Sequence, residues 1–466
     1  MPFVAGVDSS TQSVKVVVRD ADTGELVREA RGSHPDATEI DARIWWRELS
    51  TALDGFLDGV VALSVAGQQH GMVALDESGE PVRDALLWND TRSARDAEDL
   101  VTELGGPGAW ADAVGSVPLA AFTVSKVRWM ARNEPESAAR TRRVLLPHDY
   151  LTWTLAGTPA VAVTDRGDAS GTGYWSPAEN AYRFDLFELA LGRVVDLPTV
   201  VAPHEQVGTI AGTDIVLGPG TGDNMSAALA LDLQPGDVVV SLGTSGTAFA
   251  VSETPSRDAS GLVAGFADAR GRFLPLVCTL NAARVLTSTA AMLGLDMDDF
   301  ASAALSAPQG ADGLVLLPYL DGERTPNLPE ARGTLCGITR QNFTPANIAR
   351  AAIEGMLCGL ADAVDALVDV GVSPRRVLLI GGAAANPAVA QVATTLFSVP
   401  VLVPTPGEYV ADGAARQAAW VVSGRSEPPA WRGPLTDAAE FAPAPHAVIR
   451  ENYADARSRM YPIGNS

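Results

Sequence analysis

A chain of 466 residues is too long to fold around one hydrophobic core, so two domains of similar size are expected. Its 47% hydrophobic and 19% charged content describes an ordinary globular protein. The formal net charge of -22 argues against nucleic acid as a partner, because a polyanion would be repelled. Cys278, Cys336 and Cys358 are widely spaced and contain no CxxC pair, so they give neither a disulfide framework nor a zinc site and fit a reducing cytosol. The first residues run straight into an apolar stretch without a basic leader or cleavage signal. No window reaches the roughly 18 uninterrupted apolar residues of a membrane span. A cytoplasmic protein without a membrane partner is expected.

Residues 3–7 read as a buried strand, Asp8-Ser9-Ser10-Thr11-Gln12 as a tight turn, and residues 13–19 and 25–30 as two further strands. Backbone N–H groups and hydroxyls at such a tip can cradle phosphate oxygens, and an aspartate there can hold Mg²⁺ through water. Taken alone, a polar hairpin turn explains the same letters. A helix carrying Trp45, Trp46, Leu49 and Leu53 follows, then a strand at 60–65 ending in Gly67-Gln68-Gln69-His70-Gly71. Polar side chains among glycines at a strand end suit a polyol, although His70 reads equally well as a satisfied turn histidine. Leu87-Trp88-Asn89-Asp90 then sets a polar cluster after another buried strand. Residues 105–200 look mainly helical. The loop 165–175, rich in Gly, Ser and Thr and carrying Asp165 and Asp168, could bear substrate contacts but reads by default as solvated.

Asp223 lies in Gly220-Thr221-Gly222-Asp223-Asn224-Met225, after a short apolar run and before a helical segment. The glycines permit a tight turn that leaves the carboxylate at a helix start. The partial positive charge of that helix end should favour the ionised acid, which could then take a proton from a hydroxyl. An N-cap aspartate with no further role is the competing reading. Residues 236–251 repeat the strand, hydroxyl-and-glycine tip, strand pattern of the N-terminus around Gly243-Thr244-Ser245-Gly246. An internal duplication with a phosphate-type hairpin in each half is what a two-lobed nucleotide clamp needs, and places the boundary between residues 225 and 237.

Residues 314–318 form a strand leading into Tyr319-Leu320-Asp321-Gly322-Glu323-Arg324-Thr325-Pro326. Thr344-Pro345 is an N-cap with proline at the first helical position, and apolar residues from Ile348 to Leu367 recur at helical spacing as far as Gly371. A strand at 376–380, the loop Gly381-Gly382-Ala383-Ala384-Ala385 and the cap Asn386-Pro387 have nucleotide-site order. They match neither GxxxxGK[ST] nor GxGxxG, and an ordinary β-to-α turn accounts for the glycines as well.

In this order the stretches Gly67-Gln68-Gln69-His70-Gly71, Leu87-Trp88-Asn89-Asp90, Pro147-His148-Asp149-Tyr150 and 319–326 resemble the FGGY family of carbohydrate kinases, over about residues 4–420. The resemblance is closest to members that act on D-xylulose; glycerol-specific members carry an Arg-Glu pair where this chain has His70-Gly71. It implies an α/β fold of two actin-like (ribonuclease H-like) lobes, 1–230 and 231–466, each a mixed β-sheet flanked by helices, with the active site in the cleft between them. The first lobe would bind sugar and carry the base, and the second would bind nucleotide. Asp223 corresponds to the catalytic base, and Gln69, His70 and Asn224 to sugar-contacting positions. Asp8 matches an aspartate associated with Mg²⁺ and catalysis. Thr11, Ser13 and Thr244 lie where the two hairpins meet ATP phosphates, Lys15 matches a basic position on the first hairpin, and Gly382 and Asn386 lie where adenosine is held. Ser10 replaces the usual tip glycine. The implied reaction is phosphorylation of D-xylulose to D-xylulose 5-phosphate by Mg-ATP, with another ketose or polyol, or a non-catalytic sugar sensor, as alternatives. Family analogy also points to a homodimer.

Overall fold

The structure, a computed structural model, describes residues 2–462. The chain forms two compact α/β units. The first comprises the chain up to Leu233 with Glu253–Leu274 and Gly407–Gly433; the second comprises Gln234–Ser252, Pro275–Pro406 and the chain from Pro434. The units are therefore not simple halves: two later segments return to complete the first.

In the first unit the strand Phe3–Ser9 is buried almost throughout, as its run of Val, Ala and Gly requires of a central strand covered on both faces. It pairs antiparallel with Ser13–Asp20, which pairs antiparallel with Leu26–Ser33. On its other side it pairs parallel with Val60–Gly67, against which Val216–Leu217 and Thr221–Gly222 also lie parallel. One face of this mixed sheet is covered by the helix Ala42–Leu53, capped by Asp41, whose Trp45 and Leu49 are buried with Val14, Val16 and Leu63.

The helix Tyr409–Ser423 covers the other face, laying Ala411, Ala415, Ala418 and Ala419 against Val4, Val17 and Ala62. That spacing is one face of an α-helix, and its small side chains bring helix and sheet into close contact. Glycine is obligatory at two points of the approach. A Cβ on Gly6 would lie 2.0 Å from the Ala411 carbonyl oxygen, and one on Gly413 would lie 1.9 Å from that of Ser226.

The second unit repeats the strand logic. Asp237–Leu242 pairs antiparallel with Gly246–Ala250, which pairs antiparallel with Phe273–Thr279. Asp237–Leu242 also pairs parallel with Arg376–Ile380, and Val401–Val403 extends the parallel part. The shared arrangement, a three-strand antiparallel run continued by parallel strands, is the internal duplication expected from the two hairpin tips. Thr344 caps the helix Pro345–Asp369 by accepting from Asn347 N, and Asn386 caps Pro387–Ala393 by accepting from Ala388 N, both with proline in the first turn.

Gly413→Ala should lower the stability of the first unit by about 3 kcal/mol, the upper part of the overpacking range. In the control Gly359→Ala, the added methyl meets nothing closer than 3.6 Å, so helix propensity should make the change neutral or stabilising. Urea denaturation of the two variants checks this; equal midpoints would contradict the close helix–sheet contact.

Candidate active site

Three parallel strands of the first unit end side by side, and the register puts their last residues level. Asp8 pairs with Ala66 and Ser9 with Gly67, while Thr221 and Gly222 pair with the same two residues from the other side. Chain leaving these ends places Asp8, Gln69, His70, Asp223 and Asn224 together at the carboxyl edge of the sheet, the usual place for a site in α/β folds.

Asp223 is the first residue of the helix Asp223–Ala230, and Gly222, in extended conformation, is its cap. Its Oδ1 accepts from both the backbone N and the Nδ2 of Asn224, each at 2.7 Å, and the same Asn224 Nδ2 donates to Gln69 Oε1 at 3.0 Å. The helix start was expected to favour ionisation. Instead burial pushes Asp223 up to about 6, against the opposing pull of the Asn224 hydrogen bonds. Loss of water outweighs the helix end. The result is a carboxyl still ionised above neutral pH but more basic than an exposed one.

Asp8 is buried, and its Oδ1 has no hydrogen-bond partner. Burial pushes it up to about 7; Lys15, opposite it in the register, pulls it down, and Asp223 pushes it further up. Lys15 itself pairs with Glu408 at 2.5 Å, a partner that lies far along the sequence. At the hairpin tip the backbone N and hydroxyl of Ser10 both donate to Ser13 O at 2.9 Å, so the turn closes without the usual glycine. Thr11 Oγ1 accepts from Trp88 Nε1 at 2.9 Å and donates to Gln68 Oε1 at 3.4 Å, and Ser13 Oγ lies 3.2 Å from Ser10 Oγ.

His70 is over-determined. Its φ of 68° is left-handed, a conformation that costs a non-glycine residue on the order of 1–3 kcal/mol. Its ring stacks on Phe122 with centroids 4.9 Å apart and lies 5.5 Å from Phe266. Nδ1 lies 2.7 Å from the Gly171 carbonyl oxygen, which requires the proton on Nδ1 and makes Nε2 the acceptor of the neutral ring. Thr123 Oγ1 donates to its carbonyl at 3.1 Å.

The loop 165–175, expected to be solvated, is buried: Asp165 and Asp168 are 1% and 0% exposed. Asp165 caps the short helix Arg166–Ala169 and accepts from Thr221 Oγ1 at 2.7 Å, two residues before Asp223. Beside it His148 and Asp149 are also fully buried. Burial pushes His148 down to about 3, Asp149 up to about 8 and Asp165 up to about 6, with Asp168 raised as well. Sequence reasoning named His148 and Asp149 only as part of a family-like stretch and took the loop of Asp165 and Asp168 as solvated by default, so it missed that the four are buried together. The available signal was the setting of His148-Asp149 within the apolar run from Val144 to Leu155, which favours burial.

Thr244, Gly382 and Asn386 lie in the second unit. Ser241 and Ile380 are paired on adjacent parallel strands, so the Thr244 tip and the Gly381-Gly382 loop leave the sheet at the same end. Gly381, not singled out from the sequence, is the demanding position: its φ is 89° and a Cβ would meet the Leu242 backbone at 2.8 Å. Gly382 borders open space, where a Cβ would find no atom within 4 Å. Thr244 is exposed, and the Asn386 side chain serves as the helix cap described above. The sequence-selected residues thus form two groups, eight in the first unit and these three in the second.

Residues 3–229 match the N-terminal domain, and residues 238–422 the C-terminal domain, of the FGGY family of carbohydrate kinases. The chain is 45% identical over 460 residues to a xylulose kinase of Streptomyces coelicolor, covering 94% of this chain and 93% of that one. It is 30% identical over 447 residues to a xylulose kinase of Haemophilus influenzae, covering 89% and 90%. The crystal structure of a xylulose kinase from Bifidobacterium adolescentis superposes with a TM-score of 0.90 at 44% identity, covering 98% and 99%. A Plasmodium falciparum glycerol kinase shares the fold at a TM-score of 0.84 and 18% identity, covering 100% and 99%. With both domains matched in order across most of its length, the chain belongs to the FGGY family of carbohydrate kinases.

Proposed function

We propose that this protein transfers the γ-phosphoryl group of ATP to D-xylulose, giving ADP and D-xylulose 5-phosphate. The 45% identity to xylulose kinases supports the sugar, and the observation that carries the chemistry is Asp223. Its Oδ1 is held by Asn224, which leaves Oδ2 to meet a sugar hydroxyl. Its raised pKa, about 6, makes it a better proton acceptor than an ordinary carboxylate while keeping it ionised at cytoplasmic pH. General-base assistance of this kind is worth on the order of 10²–10⁴ in rate. The rest of a phosphoryl transfer is positioning and charge neutralisation.

Gln69, His70 and Asn224 bind the sugar hydroxyls in this reading, His70 offering a fixed acceptor nitrogen and the two amides offering both donors and acceptors. Thr11, Ser13 and Lys15 of the first hairpin and Thr244 of the second contact phosphates, while Gly382 and Asn386 hold the adenosine. Lys15 must exchange its Glu408 partner for phosphate when nucleotide binds. In this reading the first unit, which corresponds to the expected lobe 1–230 plus the two returning segments, supplies sugar site and base, and the rest of 231–466 the nucleotide site. No group of three metal-binding side chains is present among the described residues. Mg²⁺ on a nucleotide needs only one or two carboxylates besides phosphates and water, and the unpartnered Asp8 Oδ1 fits that need. The ion would neutralise charge on the β- and γ-phosphoryl oxygens. We place the enzyme in the cytoplasm as a homodimer.

Five outcomes test this reading. Asp223→Ala should lower kcat by about 10²–10⁴ while nucleotide affinity, read by calorimetry, stays near that of the parent; retained turnover would reject Asp223 as the base. His70→Ala should raise the D-xylulose KM by about tenfold and leave the ATP KM nearly unmoved. In a panel of pentuloses and sugar alcohols, strong preference for a sugar other than D-xylulose would remove the assignment. Since the base works only when deprotonated, kcat/KM should fall about tenfold per pH unit below about pH 6, the raised value of Asp223. Extra Mg²⁺ should shift any contribution of Asp8 to lower pH and leave the Asp223 limb in place.

A further inference from the structure

Behind the chain Gln69–Asn224–Asp223 lies a buried group that the mechanism above does not use. His148 Nε2 lies 3.3 Å from Asp168 Oδ2, 3.2 Å from Asp149 Oδ1 and 3.6 Å from Asp165 Oδ1. The three acids are not equivalent. Asp165 accepts from Gly167 N, Asp168 N and Thr221 Oγ1, and Asp149 accepts from Leu146 N. Asp168 has no such anchor: neither of its oxygens makes a complete hydrogen bond, and neither does Gln69 Nε2. Gln69 is nevertheless the side chain that acts on Asp168 as a hydrogen-bonding neighbour. The remaining titratable groups facing Asp168 are Asp149, Asp165, Asp223 and Tyr174.

A proton placed between Asp168 Oδ2 and His148 Nε2, which lie 3.3 Å apart, can sit on the acid or on the imidazole. In both states Asp168 Oδ1 remains an acceptor. An acceptor there would hold the Gln69 amide with Nε2 toward Asp168, while Oε1 accepts from Asn224. The Asn224 Nδ2 that bonds Gln69 Oε1 at 3.0 Å is the one that bonds Asp223 Oδ1 at 2.7 Å. Were Gln69 reversed, two N–H groups would oppose each other and Asn224 would have to turn its donor away from Asp223. Glycines make room for this arrangement: a Cβ on Gly220 would lie 2.7 Å from His148 Nδ1, and one on Gly222 would lie 2.9 Å from Gln69 Cγ.

We propose that Asp168, backed by His148, is a positioning residue that fixes the orientation of the Gln69 amide and, through Asn224, the sugar-facing array and the carboxyl of Asp223. The inference rests on the reading of Gln69 and Asn224 as sugar contacts and of Asp223 as the base. It assigns a role in phosphoryl transfer to a residue that touches neither substrate.

The test is steady-state kinetics of the full-length enzyme with D-xylulose and ATP. Asp168→Ala should raise the sugar KM by about tenfold and leave the ATP KM within about twofold. Asp168→Asn should recover most of that loss, because the amide can donate to a neutral His148 and keep its carbonyl toward Gln69. The decisive comparison exchanges the two groups. Gln69→Glu sets two carboxyls face to face and should raise the sugar KM strongly. Adding Asp168→Asn restores a donor–acceptor pair and should recover about fivefold or more, a coupling expected of residues in contact. If the double variant does no better than the product of the single changes, or if Asp168→Ala raises both KM values equally, the inference falls. Should Asp168→Ala fail to fold, the exchange pair still decides. A parent enzyme without D-xylulose turnover would sink the functional reading instead. Turnover with a raised sugar KM in Gln69→Ala but no coupling would sink only the role of Asp168.

Discussion

Taking carboxyl groups out of water with few cations to meet them is the constraint on which the first unit depends. Asp8, Asp149, Asp165 and Asp223 are all raised, to about 7, 8, 6 and 6, and the leading cause in each case is burial. Each finds partial compensation in a different way. Lys15 faces Asp8, backbone N–H groups meet Asp165 and Asp149, and the Asn224 amide meets Asp223. Such compensation has to be local and well aligned, because an unpaired charge costs several kcal/mol in a dry interior. This explains why the loop turns, the helix caps and the strand ends are so tightly specified here.

The same constraint ties the sheet to the site. Gly6 and Gly413 let the helix Tyr409–Ser423 approach the sheet and the active-site helix closely. From there Gln417 Nε2 donates to Gly220 O at 3.0 Å, and Val410 O accepts from Ser226 Oγ at 2.7 Å. The turn that presents Asp223 is therefore braced from behind by a helix whose Gln417 lies 197 residues after Gly220. Asp165 braces it from another side through Thr221.

Much of this was legible in the letters because it is local. Apolar runs ending in hydroxyl-rich turns gave both hairpins, Thr344-Pro345 and Asn386-Pro387 gave two helix starts, and glycines beside Gln69, His70 and Asp223 marked ends of apolar runs, though not that the strands run parallel and end level. What escaped was set by tertiary surroundings. The loop 165–175 has the composition of a solvated segment, and only its neighbours make it core. The ionisation of Asp223 depends on burial, which outweighs the helix end that the sequence does display. Lys15 has a partner 393 residues away, and the wall behind His70 is built from Phe122 and Phe266, which no spacing rule connects.

The return of Glu253–Leu274 and Gly407–Gly433 to the first unit has a consequence for biosynthesis. A nascent chain leaving the ribosome completes the strands Phe3–Ser9 and Val60–Gly67 early, but Val4, Val17 and Ala62 have no cover until Ala411–Ala419 has been translated. Until that helix is made, this face of the sheet lacks the apolar cover it has in the folded unit. Truncation at the family-domain boundary would freeze it in that state.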